Sequence, residues 1–224
     1  MRVFLMALVT AASGLVGADD PPQPVIRGDG MAQQATFAQK NFDALRVSGP
    51  FHITVKRGPR FGVEVSGDRN LVPLVQVQVD GTTLVVEIQG QIEPKLNLEL
   101  EVVLPALVRY DQIGCMQSHV DEFEVKCLTL TATGNGMLVC SARAREVTIE
   151  ARGGAAIDLR AGRVEHATIS GTGGTTIQLP AIRSVRGRLI GRSKLTYQGE
   201  DARVNVSMIG ASTVERSSRE TGRP

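Results

Sequence analysis

The stretches Leu128-Thr-Leu-Thr-Ala-Thr-Gly134 and Val147-Thr-Ile-Glu-Ala-Arg-Gly153 show one pattern twice, 19 residues apart. In each stretch every second residue is aliphatic or alanine, and a glycine ends the run. The glycine recurs every 18 to 20 residues through the second half of the chain, and a small residue usually follows two positions later. A fixed period with strict alternation inside it is typical of a solenoid of short strands. The repeated glycines are Gly114, Gly134, Gly153, Gly173, Gly191 and Gly210.

The register of this repeat predicts the core. Residues at even offsets from each glycine are expected to point inward, and residues at odd offsets, many of them threonine, are expected to point outward. One coil cannot bury its apolar edge alone, so consecutive coils must stack. The sequence therefore predicts an all-β fold, a right-handed parallel β-helix or β-solenoid of about 19 residues per coil. Gly153 and Gly173 are expected to hold positive φ at its corners.

The alternation continues upstream with longer spacings. Gly49, Gly67 and Gly90 extend the glycine series, and we interpret them as corners of looser coils at the N-terminal end. The dipeptide Asp80-Gly81 is a strong hairpin-turn signal within this region. The segment from Val25 to Lys40 is expected to cover one end of the stack.

The first 18 residues predict an export signal, because Arg2 precedes an apolar core and small residues precede a cleavage point after Ala18. No later stretch approaches the roughly 20 apolar residues of a membrane span. We expect a protein exported to the periplasm, the cell surface or the medium. The predicted organisation is a signal peptide at 1–18, a linker at 19–24, a single β-solenoid domain at 25–215 and a polar tail at 216–224.

The N-terminal alternation resembles that of a known bacterial family. The residues that carry the resemblance are Phe42 to Gly58, the run Val65-Ser-Gly-Asp-Arg-Asn70-Leu-Val-Pro-Leu74, and Asp80 to Ile88, followed by the glycine-corner repeats. The chain is similar there to the putative auto-transporter adhesin, head GIN domain family. The resemblance implies an exported β-helical domain, adhesin-like and of unknown ligand. It implies no catalytic residues.

Charge is divided unevenly along a chain whose net charge is only +2. From Ser141 onward, 14 Lys and Arg residues face 8 Asp and Glu residues. One interpretation is a basic flank that attracts an acidic polymer, anionic lipid headgroups or a polyanionic glycan. The other is an ordinary solvated face. Export disfavours a nucleic acid partner, and self-association through the C-terminal coil is a further alternative. The predicted partner-facing residues are Arg152, Arg186, Arg188, Arg192 and Lys194.

A non-enzymatic binding or structural module fits the sequence better than an enzyme. The alternative is a polysaccharide-active β-helix lyase or hydrolase, which would need carboxylates paired across a groove. Glu150 and Asp158 are the nearest candidates, and solvation explains both. The histidines His52, His119 and His166 are scattered on outward or corner offsets. We therefore assign no catalytic, cofactor-binding or metal-binding residue.

The three cysteines leave one question open. Cys140 falls on an inward offset and is expected to pack as a small apolar residue. Cys115 and Cys127 fall on outward or corner offsets, where an oxidising compartment would allow them to pair. Their spacing matches no zinc-site pattern.

The register can be tested with neighbouring substitutions. Ile149→Asp should place an unpaired carboxylate among aliphatic side chains and destabilise the domain by at least about 4 kcal/mol. Thr148→Asp, one residue away, should cost less than about 1 kcal/mol. Thermal unfolding followed by circular dichroism measures both, and equal melting temperatures would contradict the assigned register.

Overall fold

The computed structural model describes residues 24–217. The predicted signal peptide, nearly all of the linker and the tail from residue 218 onward lie outside the described residues. Within 24–217 the chain forms strands and loops, with one 3-10 turn at Val72–Leu74. The N-terminal strands are β1 (Ile26–Arg27), β2 (Ala32–Phe37), β3 (Ala44–Ser48), β4 (Phe51–Arg57), β5 (Gly62–Asp68), β6 (Val75–Asp80), β7 (Thr83–Ile88), β8 (Ile92–Glu93) and β9 (Leu98–Leu104).

The C-terminal part consists of coils of two strands each, joined by a corner at the repeated glycine. β21 includes Arg216, one residue beyond the predicted end of the domain. The strands are β10 (Arg109–Ile113), β11 (Gln117–Val120), β12 (Glu124–Gly134), β13 (Met137–Cys140), β14 (Arg143–Gly153), β15 (Ala156–Asp158), β16 (Arg163–Gly173), β17 (Thr176–Ala181), β18 (Ser184–Gly191), β19 (Lys194–Gln198), β20 (Arg203–Gly210) and β21 (Thr213–Arg216).

Two sheets form the walls of the solenoid, and nearly all of their strands pair in parallel. The first strand of each coil joins a nine-stranded sheet in the order β20-β18-β16-β14-β12-β10-β3-β7-β6. The second strand joins a ten-stranded sheet in the order β2-β5-β9-β4-β11-β13-β15-β17-β19-β21. The two-stranded pair β1-β8 completes the topology. The predicted all-β solenoid is confirmed.

The core lies between the two sheets and follows the predicted register. Ile149 is 1% exposed, whereas its neighbour Thr148 is exposed. Leu130 and Ile149 are Cα partners on β12 and β14, and Ile149 is in turn the partner of Ile169 on β16. Like side chains therefore stack on like side chains from coil to coil, so that every coil buries the face of the next.

The corner glycines hold the coils in close contact. Gly153 has a φ of 81° and Gly173 a φ of 103°, as expected. A Cβ atom on Gly173 would lie 2.6 Å from the carbonyl oxygen of Gly153 one coil below, and one on Gly153 would lie 2.9 Å from that of Gly134. Both the backbone conformation and the contact with the coil below therefore require glycine.

The N-terminal region departs from a simple succession of coils. β7 and β9 form a coil that stacks on the outer side of β3 and β4, so the chain passes back across that first coil to begin β10. The interpretation of Gly67 as a corner is wrong. Gly67 lies inside β5, which runs antiparallel to both β2 and β9. Alternation has period two in parallel and antiparallel strands alike, so it could not distinguish the two arrangements.

The end of the stack nearest β7 and β9 is covered by antiparallel strands. β6 folds back on β7 through the hairpin at Asp80-Gly81, with Asp80 opposite Thr83. β2, from the segment expected to act as a cap, pairs antiparallel with β5 along the edge of the ten-stranded sheet. The inward residues of this end, including Leu84 and Leu98, are consequently buried.

Asp68 fastens this cap to the solenoid. Its carboxylate is fully buried and accepts backbone N–H groups from Gly30 at 2.7 Å, Lys95 at 2.9 Å and Leu96 at 3.0 Å. Burial alone would raise the pKa of Asp68, but these hydrogen bonds outweigh it and hold the pKa below its ordinary value. A Cβ on Gly28 would lie 2.3 Å from this carboxylate, so the chain can pass there only as glycine.

The corner stacking predicts different effects for two adjacent glycines. Gly173→Ala should destabilise the fold by roughly 2 kcal/mol or more, because alanine at positive φ is strained and its Cβ meets a carbonyl oxygen. Gly174 has an ordinary φ, and a Cβ there would lie 3.9 Å from its nearest neighbour. Gly174→Ala should therefore leave stability unchanged or slightly raised in chemical denaturation. Equal losses for the two variants would contradict the stacked corner.

The cap predicts a specific dependence on pH. Asp68→Asn removes one acceptor oxygen and the charge, so it should lower the melting temperature at pH 7. A carboxyl with a lowered folded-state pKa contributes stability above the unfolded pKa of about 3.9 and loses it as pH falls through the folded value. The deficit of the variant should therefore shrink at the acid end of a melting series from pH 7 to pH 3. Glu99→Gln, at an exposed position, is the control. A loss of melting temperature for Asp68→Asn that stays the same from pH 7 to pH 3 would contradict this assignment.

Candidate functional site

A cleft of about 1300 Å³ lies along the edge of the solenoid opposite the glycine corners, where the second strand of one coil turns into the first strand of the next. Its walls come from successive coils, beginning with β12 and ending with Ser217 after β21. Seven cationic residues line it, against three carboxylates, Glu124, Glu165 and Glu200. The seven cations are Lys126, Arg143, Arg145, Arg160, Arg163, Arg183 and Arg216.

Four arginines, each 20 residues after the last, follow this edge: Arg143, Arg163, Arg183 and Arg203. We call them the arginine row. Arg143 and Arg163 are direct Cα partners on β14 and β16. The first three line the cleft, and Arg203 joins Arg183 in an adjoining hollow of about 500 Å³ that Glu200 and Asp201 also line.

Backbone hydrogen bonds between coils place the row. The N–H of Arg163 donates to the carbonyl of Ala142 at 3.0 Å, and the N–H of Arg183 donates to that of Glu165 at 2.9 Å. The N–H of Arg203 donates to the carbonyl of Arg183 itself at 2.9 Å. Arg143 and Arg163 lie on neighbouring strands, about 4.8 Å apart along the axis. Arg183 lies beside Glu165 on the next coil and Arg203 beside Ser184, so the row shifts along the strands as it ascends the stack.

Most of the cleft's cations are not neutralised within the described chain. Arg160 is bound by Asp158, with Nη2 and Oδ2 2.7 Å apart, and Arg143 lies 4.0 Å from Glu122. The other cations of the cleft form no ion pair with another described residue; they are Lys126, Arg145, Arg163, Arg183 and Arg216. These side chains are exposed and give the edge a positive potential that a ligand can meet.

The floor of the cleft is apolar and narrow. Val125, Ala144 and Val164 are Cα partners on three adjacent strands and form a strip between the charged rims. Ala144 and Val164 are buried, so the floor is the outer surface of the core and not a cavity that penetrates it. Such a site suits an elongated ligand with an apolar face and repeated negative groups.

The basic flank predicted from the sequence is divided among three places. Arg152, Arg186 and Arg188 lie on the outer face of the nine-stranded sheet, where Arg152 donates to the carboxylate of Glu150. Arg192 lies at a corner beside Gly191, and Lys194 lies on the other sheet, 2.8 Å from Glu215. Only Arg186 and Arg188 share one strand, and neither belongs to the cleft.

The two candidate carboxylates are also apart. Glu150 lies on β14 in the nine-stranded sheet, and Asp158 lies on β15 in the ten-stranded sheet. Burial opposes ionisation of Asp158, but the hydrogen bonds and charge of Arg160 outweigh it and keep the pKa of Asp158 below its ordinary value. Each carboxylate therefore serves as an arginine partner, and the pair lacks the shared groove that glycoside hydrolysis requires.

All three cysteines are free thiols, and Cys115 is not where the sequence placed it. It was expected on an outward or corner offset. It is buried instead, and its Sγ contacts the carbonyl oxygen of Val47 at 3.6 Å. Burial raises the pKa of Cys115 to about 12 and that of Cys140 to about 11, so both thiols stay protonated at neutral pH. Cys127 is exposed on β12.

Residues 24–217 contain neither a cluster of metal-binding side chains nor a membrane-spanning helix. Within that range no three His, Cys, Asp or Glu side chains converge in a way that could hold a metal ion. The same range contains no helix that is both long enough and apolar enough to span a bilayer.

The sequence contained a signal for the cleft that the glycine register hides. The arginine row has an even spacing of 20 residues, but the distance from each arginine to its corner glycine falls from ten residues to seven. Offsets from the glycines therefore scatter these residues among unrelated positions. Their proximity follows from the second corner of each coil, which the glycine pattern does not mark.

Comparison with known families agrees with this architecture. The model of the family described as putative auto-transporter adhesin, head GIN domain, matches residues 41–200. The chain belongs to this family. The resemblance seen in the sequence is thereby confirmed. The comparison with curated proteins finds no match for this head GIN chain.

Solved structures similar to this head GIN chain share its fold at low sequence identity. A putative adhesin from Bacteroides fragilis is 16% identical with a TM-score of 0.72, over 86% of this chain and 100% of that one. One from Parabacteroides merdae is 17% identical with a TM-score of 0.55, over 86% and 99%. A putative lipid binding protein from Parabacteroides distasonis is 11% identical with a TM-score of 0.50, over 87% and 100%. At such identities the likeness concerns the fold alone.

Proposed function

We propose that this head GIN domain is an exported, non-enzymatic adhesion module that binds an acidic surface polysaccharide along the arginine-lined cleft. The observation that carries the proposal is the arginine row, which repeats cationic side chains coil by coil beside cations that have no carboxylate partner in the described chain. The membership of an adhesin family and the export signal expected at residues 1–18 support a location at the cell surface.

The chemistry of the cleft favours a polyanion with spaced charges. Arginine presents a planar fork of donors that binds carboxylate, sulfate or phosphate through two parallel hydrogen bonds. Arg160 shows this geometry within the cleft, where its Nε and Nη2 both donate to Asp158. Arg163 and Arg183 have no carboxylate partner in the described chain, so their forks are open to a ligand group of the same kind. The apolar strip of Val125, Ala144 and Val164 offers a surface for the C–H face of a sugar ring.

An acidic polysaccharide fits this cleft better than a lipid. An acyl chain needs an enclosed apolar cavity, whereas the floor here is formed by side chains already packed in the core. A polysaccharide can lie along the row and contact several coils at once. Its many weak contacts then add along the axis, as in other multivalent binding.

The flank predicted from the sequence offers the second place where a polyanion could bind. Arg186 and Arg188 are exposed on β18, two residues apart on the outer face. They provide a matched control, because they carry the same number of charges as Arg163 and Arg183 and lie in the same part of the solenoid.

Binding of the purified protein to polygalacturonate, dextran sulfate and neutral dextran tests the proposal by biolayer interferometry. We expect the two acidic polymers to bind and neutral dextran not to bind. The double variant Arg163→Ser/Arg183→Ser should raise the Kd at least about tenfold, since each hydrogen bond to a charged group contributes about 1.5–3 kcal/mol. Binding should weaken steeply as ionic strength rises.

The double variant Arg186→Ser/Arg188→Ser controls for net charge and should retain nearly the wild-type Kd. If this variant loses binding and the cleft variant does not, the flank is the site. Absence of binding to both acidic polymers at low salt would contradict the proposed function. Comparison of the Kd for polygalacturonate with the Kd for dextran sulfate shows whether the cleft prefers carboxylate or sulfate groups.

A further inference from the structure

The two ends of the solenoid differ in how their apolar side chains are covered. At the end nearest β7 and β9, the antiparallel strands β2, β5 and β6 cover the last coil. At the other end, β20 pairs only with β18 and β21 pairs only with β19. Each strand of the terminal coil, β20 and β21, therefore presents one edge of unpaired backbone N–H and C=O groups.

Apolar side chains of the terminal coil lie open where every preceding coil buries them. Val204 is the Cα partner of Val185 and Met208 the partner of Leu189, and both residues of β18 are buried. Val204 is nevertheless 38% exposed and Met208 51% exposed, because no further coil stacks on them. Val206 and Val214 are only half-buried. The C-terminal end is therefore a layer of core side chains that is covered on one side only and lies between the unpaired edges of β20 and β21.

β20 lacks the devices that usually prevent edge pairing. Proline and inward-pointing charge protect many natural edges, but the inward positions of β20 carry Val204, Val206 and Met208. Its one charged residue is Arg203, at the start of the strand. The sequence continues with residues 218–224, Ser-Arg-Glu-Thr-Gly-Arg-Pro, a polar segment without a large apolar side chain.

We infer that this end binds the same end of a second copy of the chain, forming a closed two-fold dimer. A partner must supply two strand edges and an apolar layer of matching width together, and another terminal coil has both. The opposite end also has two edge strands, β6 and β2, but both run antiparallel to their neighbours, and the inward side chains of the coil beneath them are buried. It offers no matching apolar layer, which disfavours head-to-tail growth and favours closure with the same surface on both subunits. Glu215 is paired with Lys194 at 2.8 Å, and the cations of the terminal coil, Arg203 and Arg216, lie at the ends of β20 and β21, away from the apolar layer.

Sedimentation velocity of the purified chain across a concentration series tests the dimer independently of the proposed polysaccharide binding. We expect the mass to double with rising concentration and the dimer to persist at high salt, because its contacts are apolar. Met208→Lys should abolish the dimer. Since Met208 is already half exposed, the melting temperature of this variant should stay close to that of the wild type at concentrations low enough for the wild type to be monomeric. Met208→Leu should retain the dimer.

Ser207→Lys is the matched control, one residue away on the outward face of the same strand. It should leave the dimer intact. The inference would be overturned if the wild-type chain formed no dimer, or only a dimer with a Kd above about 1 mM. It would also be overturned if Met208→Lys left the dimer unchanged. Open-ended polymers would overturn the closed arrangement. The arginine variants of the cleft should leave the dimer unchanged, so failure of one proposal does not imply failure of the other.

Discussion

Close approach of backbone to backbone at the glycine corners is the constraint on which the rest of this structure depends. Where Gly173 lies over Gly153, there is no space for a Cβ between the two coils. The corner must also hold positive φ so that the chain can leave one sheet and enter the other. Since the same corner recurs in each coil, the strands on either side remain in register. The stacking of Leu130, Ile149 and Ile169 follows from that register.

A solenoid of this kind converts a sequence period into a spatial row. Any residue repeated at the coil period lies beside its counterparts at roughly the 4.8 Å spacing of neighbouring strands. Threonine repeated on the outward positions gives the faces their polar surface. Arg143 and Arg163 stack in this way, and Arg183 on the next coil lines the same cleft although it stacks beside Glu165. The two surfaces have different physical consequences, because a threonine face is satisfied by solvent. The guanidinium groups of Arg163 and Arg183, which have no carboxylate partner in the described chain, attract anions over distances of about 10 Å at 0.1 M salt.

The ends of the stack show a second consequence of repetition. A stack of identical layers has two incomplete layers, and a protein must cover them or leave them for a partner. Here one end is covered by antiparallel strands held by the buried carboxylate of Asp68, which accepts three backbone N–H groups. The other end retains the exposed Met208 and Val204. This asymmetry gives the molecule a direction, with one end covered by antiparallel strands and the other end exposing apolar side chains of its last coil.

The sequence by itself determined the repeat, the inward register and the glycine corners, because each depends on local spacing that a single coil displays. Positive φ at Gly153 and burial of Ile149 follow from such spacing. Only the tertiary structure decided that β5 runs antiparallel, so that Gly67 is not a corner, and that β7 and β9 stack outside the first coil. Alternation of period two is the same in both strand directions, and chain order does not specify stacking order. Tertiary structure also brought the arginine row to one edge, since coils of unequal length shift the second corner relative to the glycines that mark the first. It buried Cys115 at the corner beside Gly114, where its Sγ contacts the carbonyl oxygen of Val47, a residue distant in sequence.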